Sequence, residues 1–146
     1  MKVMLLLSAF LVFTSAEVAG QNLSCSSAVT LNGGTIEVAS VSSGDDTENL
    51  QCALDFAVEA GFRDIFLSSS DYVIGGVSGR GFQGDVRGRS KGATLVTVQN
   101  GSLNCSEAIG TAMEFQVGNV SVRNMTISID SPCADGNAAS VIEFYS

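Results

Sequence analysis

The residues whose chemistry stands out in this sequence are cations set in an acidic chain. Four of them lie close together: Arg80, Arg87, Arg89 and Lys91. A guanidinium group can hold a carboxylate through two parallel hydrogen bonds, so this cluster could clamp a carboxylated sugar. The alternative is a solvated loop whose charges offset Asp71 and Asp85, and exposed ion pairs of this kind usually contribute little. We favour the solvated loop over the clamp.

A further arginine, Arg123, lies in the segment VSVRNMTISI, where it alternates with Ser121. That alternation places both side chains on the outward face of a strand, where an extended sugar could bind. An exposed strand arginine more commonly prevents pairing with another strand, and we prefer this role. Four arginines are therefore candidate substrate-binding residues, each with a structural alternative: Arg80, Arg87, Arg89 and Arg123.

Oxygen-bearing side chains that could bind calcium lie in one segment, at Asp130, Asp135 and Asn137. Their spacing does not match an EF-hand, and the segment lacks the bidentate glutamate that ends such a loop. A loop anchored by a disulfide is the favoured interpretation. The sequence has no histidine and no Cys-x-x-Cys pair, which disfavours zinc and excludes Ser-His-Asp and Cys-His catalysis. We predict no cofactor, with calcium as the alternative, and assign no catalytic residue.

The sequence contains four cysteines: Cys25, Cys52, Cys105 and Cys133. An even number of cysteines in an exported chain favours disulfides over metal ligands. We predict the pairs Cys25–Cys52 and Cys105–Cys133, because each closes a modest loop between neighbours in sequence. Free buried thiols are the alternative, since cysteine is often simply buried.

Residues 1–20 have the pattern of a signal peptide. Lys2 gives a positive start, an apolar run follows over 3–13, and small residues allow cleavage after Ala16 or Gly20. The apolar run is too short for an ordinary membrane span, and no later segment qualifies. We therefore expect a secreted, extracellular protein (periplasmic in a bacterium) without a membrane span. The net charge of −8 disfavours nucleic acid as a partner and, less strongly, an acidic polysaccharide.

Five asparagines begin an N-x-S/T sequon: Asn22, Asn100, Asn104, Asn119 and Asn124. A sequon accepts an N-linked glycan only in a host that glycosylates exported proteins. Chains rich in Ser and Thr also produce sequons by chance, so the motif alone does not decide whether a glycan is attached.

The element around which the chain is organised is a helix predicted over 46–60. Apolar residues there follow the i, i+3, i+4, i+7 spacing of one helical face: Leu50, Ala53, Leu54 and Ala57. Asp45 is the expected N-cap, with Asp46 able to replace it, and Glu48 is placed to return a hydrogen bond to the cap. Gly61 is expected to end the helix in a left-handed conformation.

The chain after this helix is predicted to form short strands joined by Gly, Asn and Ser turns. The predicted strands are 65–67, 72–74, 94–98, 114–117, 120–129 and 141–144, with strand-like glycine spacing also at 82–88. Residues 21–44 are predicted to be a polar lead-in beside the helix, with one weak strand at 35–38. Strands recurring about every 20–45 residues, with few hairpin signals, favour a solenoid over a meander.

Two segments carry a family resemblance. Residues 44–54, GDDTENLQCAL, resemble the D-[DG]-T-x-x-[IL]-Q-x-A-[IL] segment that opens right-handed parallel β-helix proteins of the pectate-lyase-like superfamily. Residues 82–96 contain Phe82-x-Gly84-x-Val86-x-Gly88 followed by Thr94-x-Val96, which is similar to the F-x-G-x-[VL]-x-G…T-x-[IV] passage of the same family. The resemblance covers about residues 43–129, and its motifs specify the fold better than the activity.

The resemblance implies a mainly β fold, a right-handed parallel β-helix whose N-terminal end is capped by an amphipathic helix. Residues 45–146 would be the cap and the first coils of a domain that is incomplete at its C-terminal end. It also implies carbohydrate-associated activity of the polysaccharide-lyase or glycosidase type, with the active site largely outside this chain and polysaccharide as the partner. The paired-aspartate and Gly-His-Gly signatures of polygalacturonases are absent, so we assign no catalytic activity to these residues.

Two other functions stay open. A non-catalytic adhesin or binding module would use the flat faces of its strands. A structural protein would associate with another copy through the open C-terminal end. A fold of this kind does not decide between them.

Overall fold

The computed structural model describes residues 21–42, 44–98, 110–129 and 139–145. Over these ranges the chain forms one helix, α1 (Thr47–Ala60), and twelve strands. The strands are β1 (Gln21–Leu23), β2 (Ser26–Asn32), β3 (Thr35–Val38), β4 (Asp64–Leu67), β5 (Asp71–Ile74), β6 (Val77–Ser78), β7 (Gly84–Arg87), β8 (Leu95–Val98), β9 (Gly110–Gln116), β10 (Val120–Arg123), β11 (Thr126–Ile129) and β12 (Ala139–Tyr145). The prediction of a mainly β chain is confirmed.

The strands form three sheets, which we call A, B and C. Sheet A has the order β1-β2-β3-β4-β7-β10, sheet B the order β5-β8-β11 and sheet C the order β6-β9-β12. From β4 onward, each strand pairs in parallel with the strand three places later in the chain. The chain therefore passes through sheets A, B and C in turn, three times over.

Alternation along these strands sends one set of side chains into a common core. In sheet A, Ile65 of β4 is in register with Val86 of β7, and both are buried. In sheet B, Tyr72 of β5 is in register with Val96 of β8, and both are again buried. Burying one large apolar side chain contributes about 1.5–3 kcal/mol, so these matched columns supply much of the stability of the core.

Helix α1 packs its predicted apolar face against β2, β3, β4 and β6. The side chains of that face are all buried: Leu50, Ala53, Leu54 and Ala57. Gly61 ends the helix with a φ of 77°, which confirms the predicted left-handed residue.

The start of the helix differs from the prediction by one residue. The N-cap is Asp46 rather than Asp45, and the Asp46 side chain makes no capping hydrogen bond. Asp45 accepts a hydrogen bond from the Thr47 N–H at 3.0 Å, so it satisfies a first-turn amide from one position further out. Among the described residues, Glu48 does not make the predicted return bond to the cap.

The Asp46 side chain does not cap the helix because its carboxylate links three segments of the chain. One oxygen accepts the Val41 N–H at 2.7 Å and the other accepts the Val73 N–H at 3.1 Å. The Asp46 N–H donates to the Val73 carbonyl at 2.7 Å. The residue is 1% exposed and ties the start of α1 to β5 and to the segment after β3.

Two more polar residues of the 44–54 motif bind the backbone that follows β5. Thr47 Oγ1 accepts a hydrogen bond from the Gly75 N–H at 2.6 Å. The Gln51 amide accepts from the Ser78 N–H at 2.9 Å and donates to the Ser78 carbonyl at 2.8 Å. These hydrogen bonds anchor α1 to β6 and to the residues just before it. The sequence pattern did not predict this role.

The strand predictions need three corrections. Strand β6 was not predicted. The single strand predicted over 120–129 is two strands in different sheets, because Asn124 turns the chain with a φ of 58°. Asn adopts this left-handed conformation more readily than most residues. The lead-in predicted over 21–44 contains three strands, since β1 and β2 extend sheet A in antiparallel fashion beside β3.

The predicted disulfide between Cys25 and Cys52 is confirmed. It links the turn between β1 and β2 to the middle of α1. The other predicted pair, Cys105 and Cys133, lies outside the described residues, as do the signal peptide at 1–20 and the calcium candidates at 130–137. No helix in the part of the chain that the structure describes is long and apolar enough to cross a membrane.

Candidate functional site

The candidate site is the outer face of sheet A together with a groove at its edge. The outer face consists of the side chains that alternate with the buried core: Thr35, Glu37, Asp64, Phe66, Asp85, Arg87, Ser121 and Arg123. Register places Asp64 beside Asp85, and Phe66 beside Arg87. The outer-face residues therefore form two parallel columns that run across the strands. Neighbours on adjacent strands are close enough for cross-strand contacts.

Asp64 and Arg87 form a two-point ion pair between β4 and β7. Arg87 Nε donates to Asp64 Oδ1 at 2.8 Å, and Arg87 Nη2 donates to Oδ2 at 2.9 Å. Thr35 Oγ1 also donates to Oδ2 at 2.8 Å, and the guanidinium carbon lies 4.5 Å from the centre of the Phe66 ring. The hydrogen bonds from Arg87 lower the pKa of Asp64, and the same bonds raise the pKa of Arg87.

Asp85 of β7 and Arg123 of β10 form a second ion pair, one strand further along the sheet. As in the first pair, the two residues are offset by two positions in the register. Arg123 Nη2 donates to Asp85 Oδ2 at 2.7 Å through a single contact. The Arg123 and Asp85 side chains are 51% and 37% exposed, against 29% and 32% for Arg87 and Asp64. The second pair is more solvated and makes fewer hydrogen bonds, so it contributes less to stability.

The four predicted substrate-binding arginines do not form one cluster. Arg87 and Arg123 lie on the outer face, each held by an aspartate of the same chain. Arg80 lies in the turn after β6 and Arg89 in the bend after β7, and neither forms an ion pair with any described residue. Arg80 and Arg89 therefore lie apart from the outer face.

A groove of about 600 Å³ lies at the edge of the outer face. Its lining residues are Arg63, Gly84, Asp85, Gly118, Asn119, Val120, Ser121 and Phe144. Glycine is required at position 84, where φ is 145° and a Cβ would lie 2.1 Å from the Arg63 carbonyl oxygen. This close backbone contact keeps side-chain atoms out of that part of the groove.

Arg63 is a groove residue that the sequence pattern did not indicate. Its side chain is exposed and, unlike those of Arg87 and Arg123, makes no ion pair within the described ranges. Its carbonyl accepts the Asp85 N–H at 2.8 Å, which fixes its backbone beside β7. The available signal was its position directly before the strand residue Asp64, but an isolated arginine forms no motif.

The groups around this groove suit binding better than proton transfer. A general acid must hold its proton near the working pH, whereas the hydrogen bonds from Arg87 keep the pKa of Asp64 below its usual value. Arg63 offers a guanidinium, Asn119 an amide and Ser121 a hydroxyl. Over the ranges described, no three His, Cys, Asp or Glu side chains are grouped to hold a metal ion.

Comparisons with known proteins identify no relative. No protein-family model matches the chain, and no curated protein or solved structure gives a significant match. The resemblance to the pectate-lyase-like superfamily therefore rests on the segments at 44–54 and 82–96 alone.

Proposed function

We propose that this chain forms a right-handed parallel β-helix of the pectate-lyase-like type, with α1 capping its N-terminal end. The support is the repeated passage through sheets A, B and C, with parallel in-register pairing between successive passes. Crossover connections between parallel strands are right-handed in about 98% of cases, which supports the hand. The apolar face of α1, packed on β2, β3 and β4, supports the cap.

The protein is exported and binds an extended polysaccharide along the outer face of sheet A and its groove. The observation that carries this proposal is Arg63, an exposed guanidinium with no ion-pair partner among the described residues. Arg63 suits a sugar carboxylate, and the Phe144 ring, 59% exposed, offers apolar surface in the same groove. Since the net charge is −8, binding depends on this local cation rather than on overall attraction.

The proposed activity class is carbohydrate-associated, of the lyase or glycosidase type, with the reacting groups largely outside this chain. Asp64 and Asp85 are adjacent carboxylates, but Arg87 and Arg123 already bind them. We therefore assign these aspartates to the architecture of the face and give them no catalytic role.

Electrophoresis in gels that contain polygalacturonate, alginate or a neutral glucan tests this binding. We expect the uronate polymers to retard the protein and the neutral glucan to leave it unaffected. Arg63→Gln should weaken binding about tenfold or more, because a hydrogen bond to a charged group contributes about 1.5–3 kcal/mol. Arg80→Gln is the matched control, an exposed arginine outside the groove. Equal retardation of both variants, or none of the unmodified protein, would contradict the proposal.

A second candidate is a non-catalytic module that associates with a copy of itself. The observation in its favour is the apolar surface of β12, where Val141, Phe144 and Tyr145 are 37%, 59% and 47% exposed. Sedimentation velocity over a hundredfold range of protein concentration tests it. Self-association that Phe144→Ser abolishes would support this candidate, and a monomer at every concentration would eliminate it.

A further inference from the structure

Every sequon within the described ranges lies at an edge of sheet A. In the order of that sheet, β1 and β10 are the two outer strands. Asn22 lies in β1, whereas Asn119 directly precedes β10 and Asn124 directly follows it. The four strands between β1 and β10 contain no sequon.

Sequons are also more frequent in this chain than its composition predicts. The sequence contains eight asparagines, and five of them begin a sequon. Ser and Thr together account for 28 of the 146 residues. At that frequency, chance would give only about one or two sequons. The excess favours use of these asparagines as glycan acceptors.

Two of these sequons present their asparagine side chains to solvent. Asn22 and Ser24 are exposed, as are Asn124 and Thr126. Neither asparagine side chain makes a hydrogen bond within the described ranges, although the Thr126 hydroxyl donates to the Lys91 carbonyl at 2.7 Å. Asn124 also lies in a turn, with a φ of 58°. A glycan on either asparagine would extend outward without disturbing the core.

The edge of sheet A at β1 gives the glycan on Asn22 a physical role. An edge strand exposes N–H and C=O groups that can pair with a strand of another chain. In the described part of the chain, β1 has no neighbour on the side away from β2. Asn119 lines the groove, where a glycan would cover the proposed polysaccharide site, whereas Asn124 lies at the other end of β10.

We propose that Asn22 and Asn124 carry N-linked glycans, and that the glycan on Asn22 shields the edge strand β1 from pairing with other chains. In the transfer, the Asn Nδ2 bonds to C1 of an oligosaccharide held on a lipid diphosphate. The bond from C1 to the diphosphate oxygen breaks, and the lipid diphosphate leaves with the amide proton. This inference rests on the export that is part of the proposed function.

The test is expression of the full chain, with its own N-terminus, in a eukaryotic secretory host. Intact mass and glycopeptide mass are then measured on protein from the medium and from the cells. Asn22→Gln and Asn124→Gln should each remove one glycan, and Asn32→Gln, an exposed asparagine outside any sequon, should remove none. Thr126→Ala should abolish the glycan at Asn124, and Thr126→Ser should restore it.

A second form, in which a strong secretion signal precedes the full chain, separates this inference from the proposed export. If only this second form is exported, the proposed export by the native N-terminal segment is contradicted. The modification of the two asparagines is still tested on the exported protein. Exported protein with unmodified Asn22 and Asn124 overturns the inference and leaves polysaccharide binding unaffected. Enzymatic removal of the glycans should increase light scattering from the folded protein, and unchanged scattering would overturn the shielding role.

Discussion

The second and third passes of the chain, β7 to β9 and β10 to β12, carry similar inward side chains but bury them differently. Phe115 of β9 is 3% exposed, whereas Phe144, its register partner in β12, is 59% exposed. Val86 of β7 is 1% exposed, whereas its partner Val122 in β10 is only partly buried. The two phenylalanine rings stack with centres 5.7 Å apart, so each forms one side of the same contact.

The difference lies in what covers the other side of each ring. Phe115 also contacts Phe82, whose ring centre is 6.4 Å away, so it lies between two layers. Within the described ranges, Phe144 has a ring neighbour on one side only. Burial, and with it stability, therefore depends on the layers above and below a residue as much as on its type.

The strongest test of this comparison removes each ring in turn. Phe115→Ala should lower the free energy of unfolding by about 3–5 kcal/mol, because it opens a cavity between two layers. Phe144→Ala should cost less than about 1 kcal/mol, since most of that ring already contacts water. Urea denaturation monitored by circular dichroism measures both. Equal losses would show that a covering layer is present over Phe144.

Removing Asp46 tests how firmly α1 is held on the first pass of the chain. Asp46→Ala should cost about 3–4 kcal/mol, because two hydrogen bonds to a buried carboxylate are lost and two amides lose their partners. The neighbouring Asp45→Ala should cost about 1 kcal/mol, the usual value for one helix-terminal bond. The same denaturation experiment compares them. A smaller loss for Asp46 than for Asp45 would contradict the anchoring role.

Breaking the disulfide tests how much the link between α1 and the turn after β1 stabilises the fold, without removing any core atoms. Cys25 is exposed, so Cys25→Ser should remove the cross-link alone and cost about 2–4 kcal/mol. The melting midpoint is measured with and without reductant. The variant should melt below the unmodified protein in oxidising buffer, and the gap should close in reductant. An unchanged midpoint in oxidising buffer would show that the cross-link is not stabilising.

The smallest expected effect distinguishes the two ion pairs on the outer face. The pKa of Asp64 is lower in the folded chain than its usual value, so its contribution is present above the usual carboxyl pKa of about 4 and is lost as pH falls through the lowered pKa. Asp64→Asn should cost up to about 1 kcal/mol at neutral pH. That cost should vanish under strongly acid conditions.

Asp85→Asn is the control for that prediction, since its pair with Arg123 is single and more exposed. It should cost less than Asp64→Asn at neutral pH. The measurement is a series of denaturation curves from neutral to strongly acid pH. A larger loss of unfolding free energy for Asp85→Asn than for Asp64→Asn would contradict the stronger role of the first pair. A loss for Asp64→Asn that persists in acid would contradict its dependence on the ionised carboxylate.

Local patterns in the sequence determined the elements and their faces. Apolar spacing identified α1 and its buried residues, and Gly61 ended the helix as expected. Most strands were found where short apolar runs predicted them, and closeness in sequence indicated the pair Cys25–Cys52. The helix and strand predictions succeed because each depends on residues near one another in the chain, whereas the disulfide joins residues 27 apart that the fold brings together. The split at Asn124 and the strands β1, β2 and β6 were missed, since their local signals are weak and pairing in the sheets stabilises them.

Only the tertiary structure decided which strands became neighbours. Alternation placed Arg123 on an outward face, but pairing each strand with the one three places later put it beside Asp85, and put Arg87 beside Asp64. The same long-range pairing left Arg63 without an ion-pair partner among the described residues. It also made Asp46, the alternative to the expected cap Asp45, a buried link between segments. Most of these contacts join residues far apart in the chain, and no local pattern encodes them.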